Sequence, residues 1–210
     1  MPSLLGPIAV VAAIAILSAE AGWRRIFYVA KPGATLLILV QAALPGAMPP
    51  GSPRVALLAA LFLSLVGDIL LVLPRDSFRQ GLAAFLLAHV AFIAALATRL
   101  ASPPPIGPLA VLLGLVGLLL FSLRRNLGDV ALPVLSYAIV ISLMVWAAWG
   151  GWLAQRSQVT GMAFGGALLF LLSDTILALR RFRHAFLGSQ TLALAPYYSA
   201  LLLISLSFTR

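Results

Sequence analysis

Residues 54–73 read RVALLAALFLSLVGDILLVL, with one arginine at the start, one aspartate at position 68 and otherwise apolar or small side chains. The run matches the about 20 mostly apolar residues that carry a helix across a bilayer. Seven more runs of this kind cover residues 4–19, 32–47, 78–98, 106–123, 131–153, 159–179 and 188–208. Over its 210 residues the chain is 62% hydrophobic and 9% charged, with a mean hydropathy of +1.10. A soluble domain carries about 25% charged residues. The sequence therefore specifies an all-α, polytopic membrane helix bundle of about eight transmembrane helices, a single integral membrane domain over residues 1–210.

The breaks between runs hold the expected punctuation: Leu44-Pro45-Gly46 through Pro53, the Pro74 turn, Ser102-Pro103-Pro104-Pro105, and Gly128. A net charge of +9 would suggest nucleic acid in a soluble protein, but the basic residues sit in short connections, where the positive-inside rule accounts for them. No nucleic-acid partner is expected. Alternate connections hold Arg24, Arg25, Lys31, Arg75, Arg79, Arg124, Arg125, Arg180, Arg181 and Arg183, against only Arg54, Arg99, Arg156 and Arg210 on the other side. That imbalance predicts a multi-pass protein of the cell membrane with both termini outside the cytoplasm. Ser18-Ala19-Glu20-Ala21 loosely resembles a signal-peptide cleavage site, but the basic residues follow the apolar run instead of preceding it, so the run is read as a first helix. The absence of cysteine removes disulfides, thiolate catalysis and Cys-ligated zinc.

Of five acidic residues, Glu20, Asp76 and Asp129 fall in connections, whereas Asp68 and Asp174 lie inside the third and seventh runs. Insertion scales put an aspartate at a helix centre at about 2.5–3.5 kcal/mol, so both need a reason. The segments around them resemble each other: LFLSLVGDILL at 61–71 and LLFLLSDTIL at 168–177, each Asp followed seven positions later by Arg75 or Arg181. The pattern fits two parallel four-helix repeats, with both carboxyls at a shallow depth of roughly 8 Å from the basic side. His89, Tyr137, Tyr197 and Tyr198 map to the same half, and Pro196 frees the Leu192 carbonyl beside the two tyrosines, as in a helix lining a polar pocket.

Plainer readings exist for each residue. Asp68 and Asp174 could join helices, His89 and the tyrosines could pack, Lys31 could snorkel to the surface, Arg180-Arg181-Arg183 could set topology, and Gly165-Gly166 could serve close helix packing. No serine-nucleophile elbow, HExxH or phosphate-binding glycine loop occurs.

Lys31-Pro32 opening the second helix, Ser64-x-x-Gly67-Asp68, Gly81-x3-Phe85-x3-His89, Pro133-Val134-Leu135-x-Tyr137 through Met144, Phe170-x2-Ser173-Asp174 and Tyr197-Tyr198 together resemble the YhhN-like, or lysoplasmalogenase, membrane family. The likeness spans nearly the whole chain. It implies hydrolysis of the sn-1 vinyl ether of a lysoplasmalogen to a fatty aldehyde and a glycerophospho-alcohol. Asp68 and Asp174 are then the essential pair and His89 a third catalytic group; Lys31, Tyr137, Tyr197, Tyr198, Ser64 and Ser173 would contact a lysophospholipid or other ether-lipid substrate. Vinyl ether hydrolysis needs a proton donor and a carboxylate, which two neighbouring carboxyls can supply. Neither cofactor nor metal is expected. Two other readings use the same residues: a small proton- or cation-coupled transporter or lipid translocator, and a metal-dependent lipid amidase or esterase on Asp68, His89 and Asp174.

Overall fold

A computed structural model describes residues 4–44, 51–74 and 77–208. Arg75, Asp76, Arg210 and the Pro45-Gly46 break, all used above, lie outside these. The described residues form eight α-helices in chain order: α1 (Leu5–Glu20), α2 (Arg24–Ala43), α3 (Ser52–Val72), α4 (Phe78–Ala97), α5 (Ile106–Leu127), α6 (Ala131–Gln155), α7 (Gln158–Phe182) and α8 (Ser189–Phe208). The chain is thus an all-helical, multi-pass membrane bundle.

The count of eight full-length crossings needs correcting. Six segments are long and apolar enough to span, one of them the run Ile106–Gln155. At 1.5 Å per residue a straight helix of that length would be about 75 Å, far beyond a hydrocarbon core of about 30 Å. A short 3-10 turn at Gly128–Val130 interrupts it, where Gly128 adopts φ +51°. The Trp146 indole then donates to the Pro105 carbonyl at 2.9 Å, so the start of α5 lies beside the later part of α6 and the run is a hairpin. α1, with 16 residues, falls short of a full span by length, although the Leu4 amide reaches the Gln41 side chain at 2.7 Å and sets α1 antiparallel along α2.

A second correction concerns α2. It opens at Arg24, not at Lys31-Pro32, and passes through Pro32. Proline interrupts a helix by removing one donor, a loss that neighbouring helices offset inside a bundle. Consequently Phe27, Lys31 and Thr35 recur at i, i+4 and i+8 along one face. α7 also runs past its expected end to Phe182, which places Asp174 about 12 Å from that end while Asp68 lies about 6 Å from the end of α3.

Close packing is set by small residues. A Cβ on Gly166 would stand 2.8 Å from Ile204 Cγ1 and 3.0 Å from the Ala200 carbonyl oxygen, so α7 meets the backbone of α8 there; at Gly165 nothing lies within 4 Å, and only Gly166 of the pair serves packing. Gly67 and Gly81 do the same between α3 and α4, with Phe85 laid against Gly67 and Leu71 against Gly81. One end of the bundle gathers the α1–α2, α3–α4, α5–α6 and α7–α8 connections, tied by the Asn126 side chain to the Phe182 carbonyl. At the other end Arg99 donates to the Ser207 carbonyl at 2.6 Å.

Candidate active site

α2 and α8 bring three donors to one carboxyl on α3. Asp68 is fully buried. Its Oδ2 accepts from the Thr35 hydroxyl at 2.5 Å and from the Tyr197 hydroxyl at 2.7 Å, while Oδ1 faces the Lys31 ammonium at 3.2 Å. That contact is off hydrogen-bond geometry, so Oδ1 has no hydrogen-bond partner among the described residues. The Tyr198 hydroxyl donates to the Lys31 carbonyl at 3.3 Å, bracing α2 where Pro32 interrupts it. Tyr198 therefore supports the lysine and does not face the cavity.

Asp174 is served by the other half of the chain. Tyr137 on α6 donates to its Oδ2 at 2.6 Å, and His89 Nε2 on α4 stands 3.8 Å from the same oxygen. His89 Nδ1 lies 2.6 Å from the Phe85 carbonyl. A carbonyl only accepts, so Nδ1 carries the hydrogen and a neutral ring presents Nε2 as a bare acceptor. That nitrogen is buried and has no hydrogen-bond partner among the described residues. A bare nitrogen 3.8 Å from a carboxyl oxygen suits a water bridging the two. Rings hold the imidazole in place: Phe170 at 4.6 Å and Tyr137 at 5.1 Å, both edge-on.

Both carboxyls line one small chamber of about 70 Å³, together with Lys31, Phe85, Ser173, Leu177, Arg180, Gln190 and Tyr197. A water takes about 30 Å³ of liquid volume, so this space suits a reacting bond and a water, not a whole lipid. It shares Lys31, Leu71, Leu177, Arg180 and Gln190 with a wider cavity of about 450 Å³ at the basic end of the bundle. From Asp174 an apolar crevice of about 50 Å³ leads away between Phe78, Leu82, Val134, Leu177 and Phe182. Behind the carboxyls, Phe92 and Phe170 are completely buried.

Of the residues expected from sequence, Asp68, Asp174, Lys31, Ser173 and Tyr197 reach this chamber, Tyr137 lines the crevice, and His89 stands behind Asp174. Ser64 does not come to it: its hydroxyl donates to the Ala60 carbonyl at 2.9 Å within its own helix. Asp68, His89 and Asp174 do not gather as a metal-binding set; no group of three or more His, Cys, Asp or Glu side chains does so among the described residues. Thr35, Arg180 and Gln190 were missed. Thr35 was open to detection as the residue one turn beyond Lys31, whereas Arg180 was hidden in a cluster that topology alone explained.

The fold and site define a multi-pass helical membrane protein with a buried two-carboxyl chamber open toward a basic rim. The model of the YhhN family matches residues 26–208, and the chain belongs to that family. It is 30% identical over 193 residues to "Lysoplasmalogenase TMEM86B" of Mus musculus, covering 91% of this chain and 78% of that protein. It is likewise 30% identical over 189 residues to "Uncharacterized membrane protein YhhN" of Escherichia coli O157:H7, covering 87% and 86%. A Mycobacterium bovis protein named "Lysoplasmalogenase" is 35% identical over 175 residues, covering 79% of this chain and 63% of its own length. No solved structure matches.

Removing one member of a buried ion pair strands the other, typically at about 3–5 kcal/mol. Lys31→Met should therefore lower the thermal unfolding temperature in detergent sharply, and adding Asp68→Asn to it should recover much of the loss. Equal unfolding of Lys31→Met and wild type would show that the pair does not carry this load.

Proposed function

We propose that this chain is a lysoplasmalogenase-type lipid hydrolase that cleaves the sn-1 vinyl ether of a lysoplasmalogen. The observation that carries the reading is one chamber holding two carboxyls with different surroundings, one against an ammonium and two hydroxyls, the other against a phenol and a bare imidazole nitrogen. The names of the mammalian and mycobacterial relatives support the substrate class.

The chemistry follows from those surroundings. The carboxyl proton of Asp174 passes to the β-carbon of the vinyl ether, whose electron pair forms the new C–H bond and leaves an oxocarbenium ion. Asp68, held by Lys31, Thr35 and Tyr197, offers negative charge to that ion and accepts a proton from the water that attacks the α-carbon. The hemiacetal then collapses: its hydroxyl gives its proton to the Asp174 carboxylate, the C–O bond to glycerol breaks, the glycerol oxygen takes the proton held on Asp68, and aldehyde and glycerophospho-alcohol leave. The apolar crevice beside Asp174 suits the first carbons of the departing chain. A transporter reading gains less support, because the buried rings of Phe92 and Phe170 close the side of the site away from the basic rim.

Detergent-purified protein should release fatty aldehyde from lysoplasmenylethanolamine, with Asp68→Asn and Asp174→Asn each losing about 10²-fold or more, the span of a positioned acid or base, and chelator having no effect. Full activity in both variants would end the two-carboxyl scheme, and no release by wild type from any lysoplasmalogen would end the substrate assignment.

We also place the basic end of the bundle in the cytoplasm of the cell, on the charge imbalance between its two ends. The chain lacks cysteine, so single-cysteine variants report directly. In intact cells a membrane-impermeant maleimide should label Arg156→Cys and spare Arg183→Cys, and the reverse pattern would invert the orientation.

A further inference from the structure

The site accounts for both carboxyls but not for Arg180. Its Nη1 donates to the Gln190 side chain at 2.7 Å, yet its Nε is buried with no hydrogen-bond partner among the described residues. An unmet buried donor is costly, more so on a charged group. Arg180 also lines both spaces, the inner chamber and the wider cavity that adds Arg181 and Ser77. The fork of a guanidinium matches the oxygens of a phosphate. Gln190 fixes the fork and the two cavities meet at it.

We propose that Arg180 anchors a phosphodiester at the mouth of the chamber, with Lys31 and Arg181 adding positive charge around it. This rests on the hydrolase reading for the identity of the ligand as a single-chain phospholipid. Spacing supports it. In a 1-alkenyl lysophospholipid seven bonds separate phosphorus from the vinyl β-carbon, about 8 Å at the extension per bond of a stretched chain. Arg180 lies six residues beyond Asp174 on α7, about 9 Å of helical rise. A phosphate held at Arg180 therefore sets the vinyl ether at Asp174, and Arg180 acts as a positioning residue: it fixes which bond of a long, otherwise featureless lipid reaches the carboxyls.

The test is binding, not turnover. A saturated 1-O-alkyl lysophosphatidylethanolamine, which lacks the vinyl bond, is titrated into detergent-purified wild type, Arg180→Gln, Arg180→Lys and Gln190→Ala, beside 1-O-alkylglycerol, which lacks the phosphate. Arg180→Gln should weaken the phospholipid about tenfold or more, the scale of one charge-assisted pair. Arg180→Lys should keep part of the affinity, Gln190→Ala should weaken it by a smaller factor, and alkylglycerol should bind all four alike. Glycerophosphoethanolamine distinguishes sources of the phosphate. Displacement of the lipid by it marks a site for soluble phosphodiesters, and no displacement marks one specific to lipid head groups; both uphold the anion site. Equal phospholipid affinity in wild type and both Arg180 variants would overturn it, as would a matching loss for alkylglycerol. Arg180-dependent binding, together with no aldehyde release by wild type from any lysoplasmalogen, would instead refute the hydrolase reading and leave the anion site standing.

Discussion

A carboxylate taken out of water must be met by charge and hydrogen bonds or it is not tolerated, and the burial of Asp68 imposes that demand on three helices at once. Lys31 and Thr35 come from α2, Tyr197 from α8, and none can withdraw without leaving the others stranded. The continuation of α2 through Pro32, the brace of Tyr198 on the Lys31 carbonyl and the glycine-mediated approach of α3 to α4 all serve to hold that cluster. Hydrocarbon packing alone gives helices little reason to choose neighbours in a membrane; this polar knot gives α2, α3 and α8 one.

Asp174 repeats the arrangement with altered chemistry. The same sequence offset separates Lys31 from Tyr137 and Asp68 from Asp174, so a carboxyl on one helix is met from the preceding helix in both halves. In the first half the partner is an ammonium, in the second a phenol. The helix that follows each carboxyl's own serves the other carboxyl: α8 supplies Tyr197 to Asp68 and α4 brings His89 to Asp174. Two carboxyls in different surroundings are the condition for one to transfer a proton while the other stays a carboxylate.

Much of this was legible because the bilayer simplifies the code. Apolar runs of fixed length gave helices α3 to α8 to within four residues at either end, and two aspartates stood out against a 9% charged background. Where reading failed, the cause was tertiary. Pro32 looked like a helix opener because its cost inside a helix is offset only by neighbours invisible in sequence. Ser64 sat in a motif beside Asp68, yet its hydroxyl satisfies its own backbone. Arg180 had a sufficient explanation as a topology signal, so nothing in its spacing pointed to the chamber.

The central claim is that a fixed acid delivers a proton to one face of the vinyl β-carbon. Turnover in D₂O, with the aldehyde reduced to the alcohol as it forms, reports this directly. The account predicts one deuterium at carbon 2 in a single configuration. Deuterium scrambled between both configurations, or none at that carbon, would contradict it.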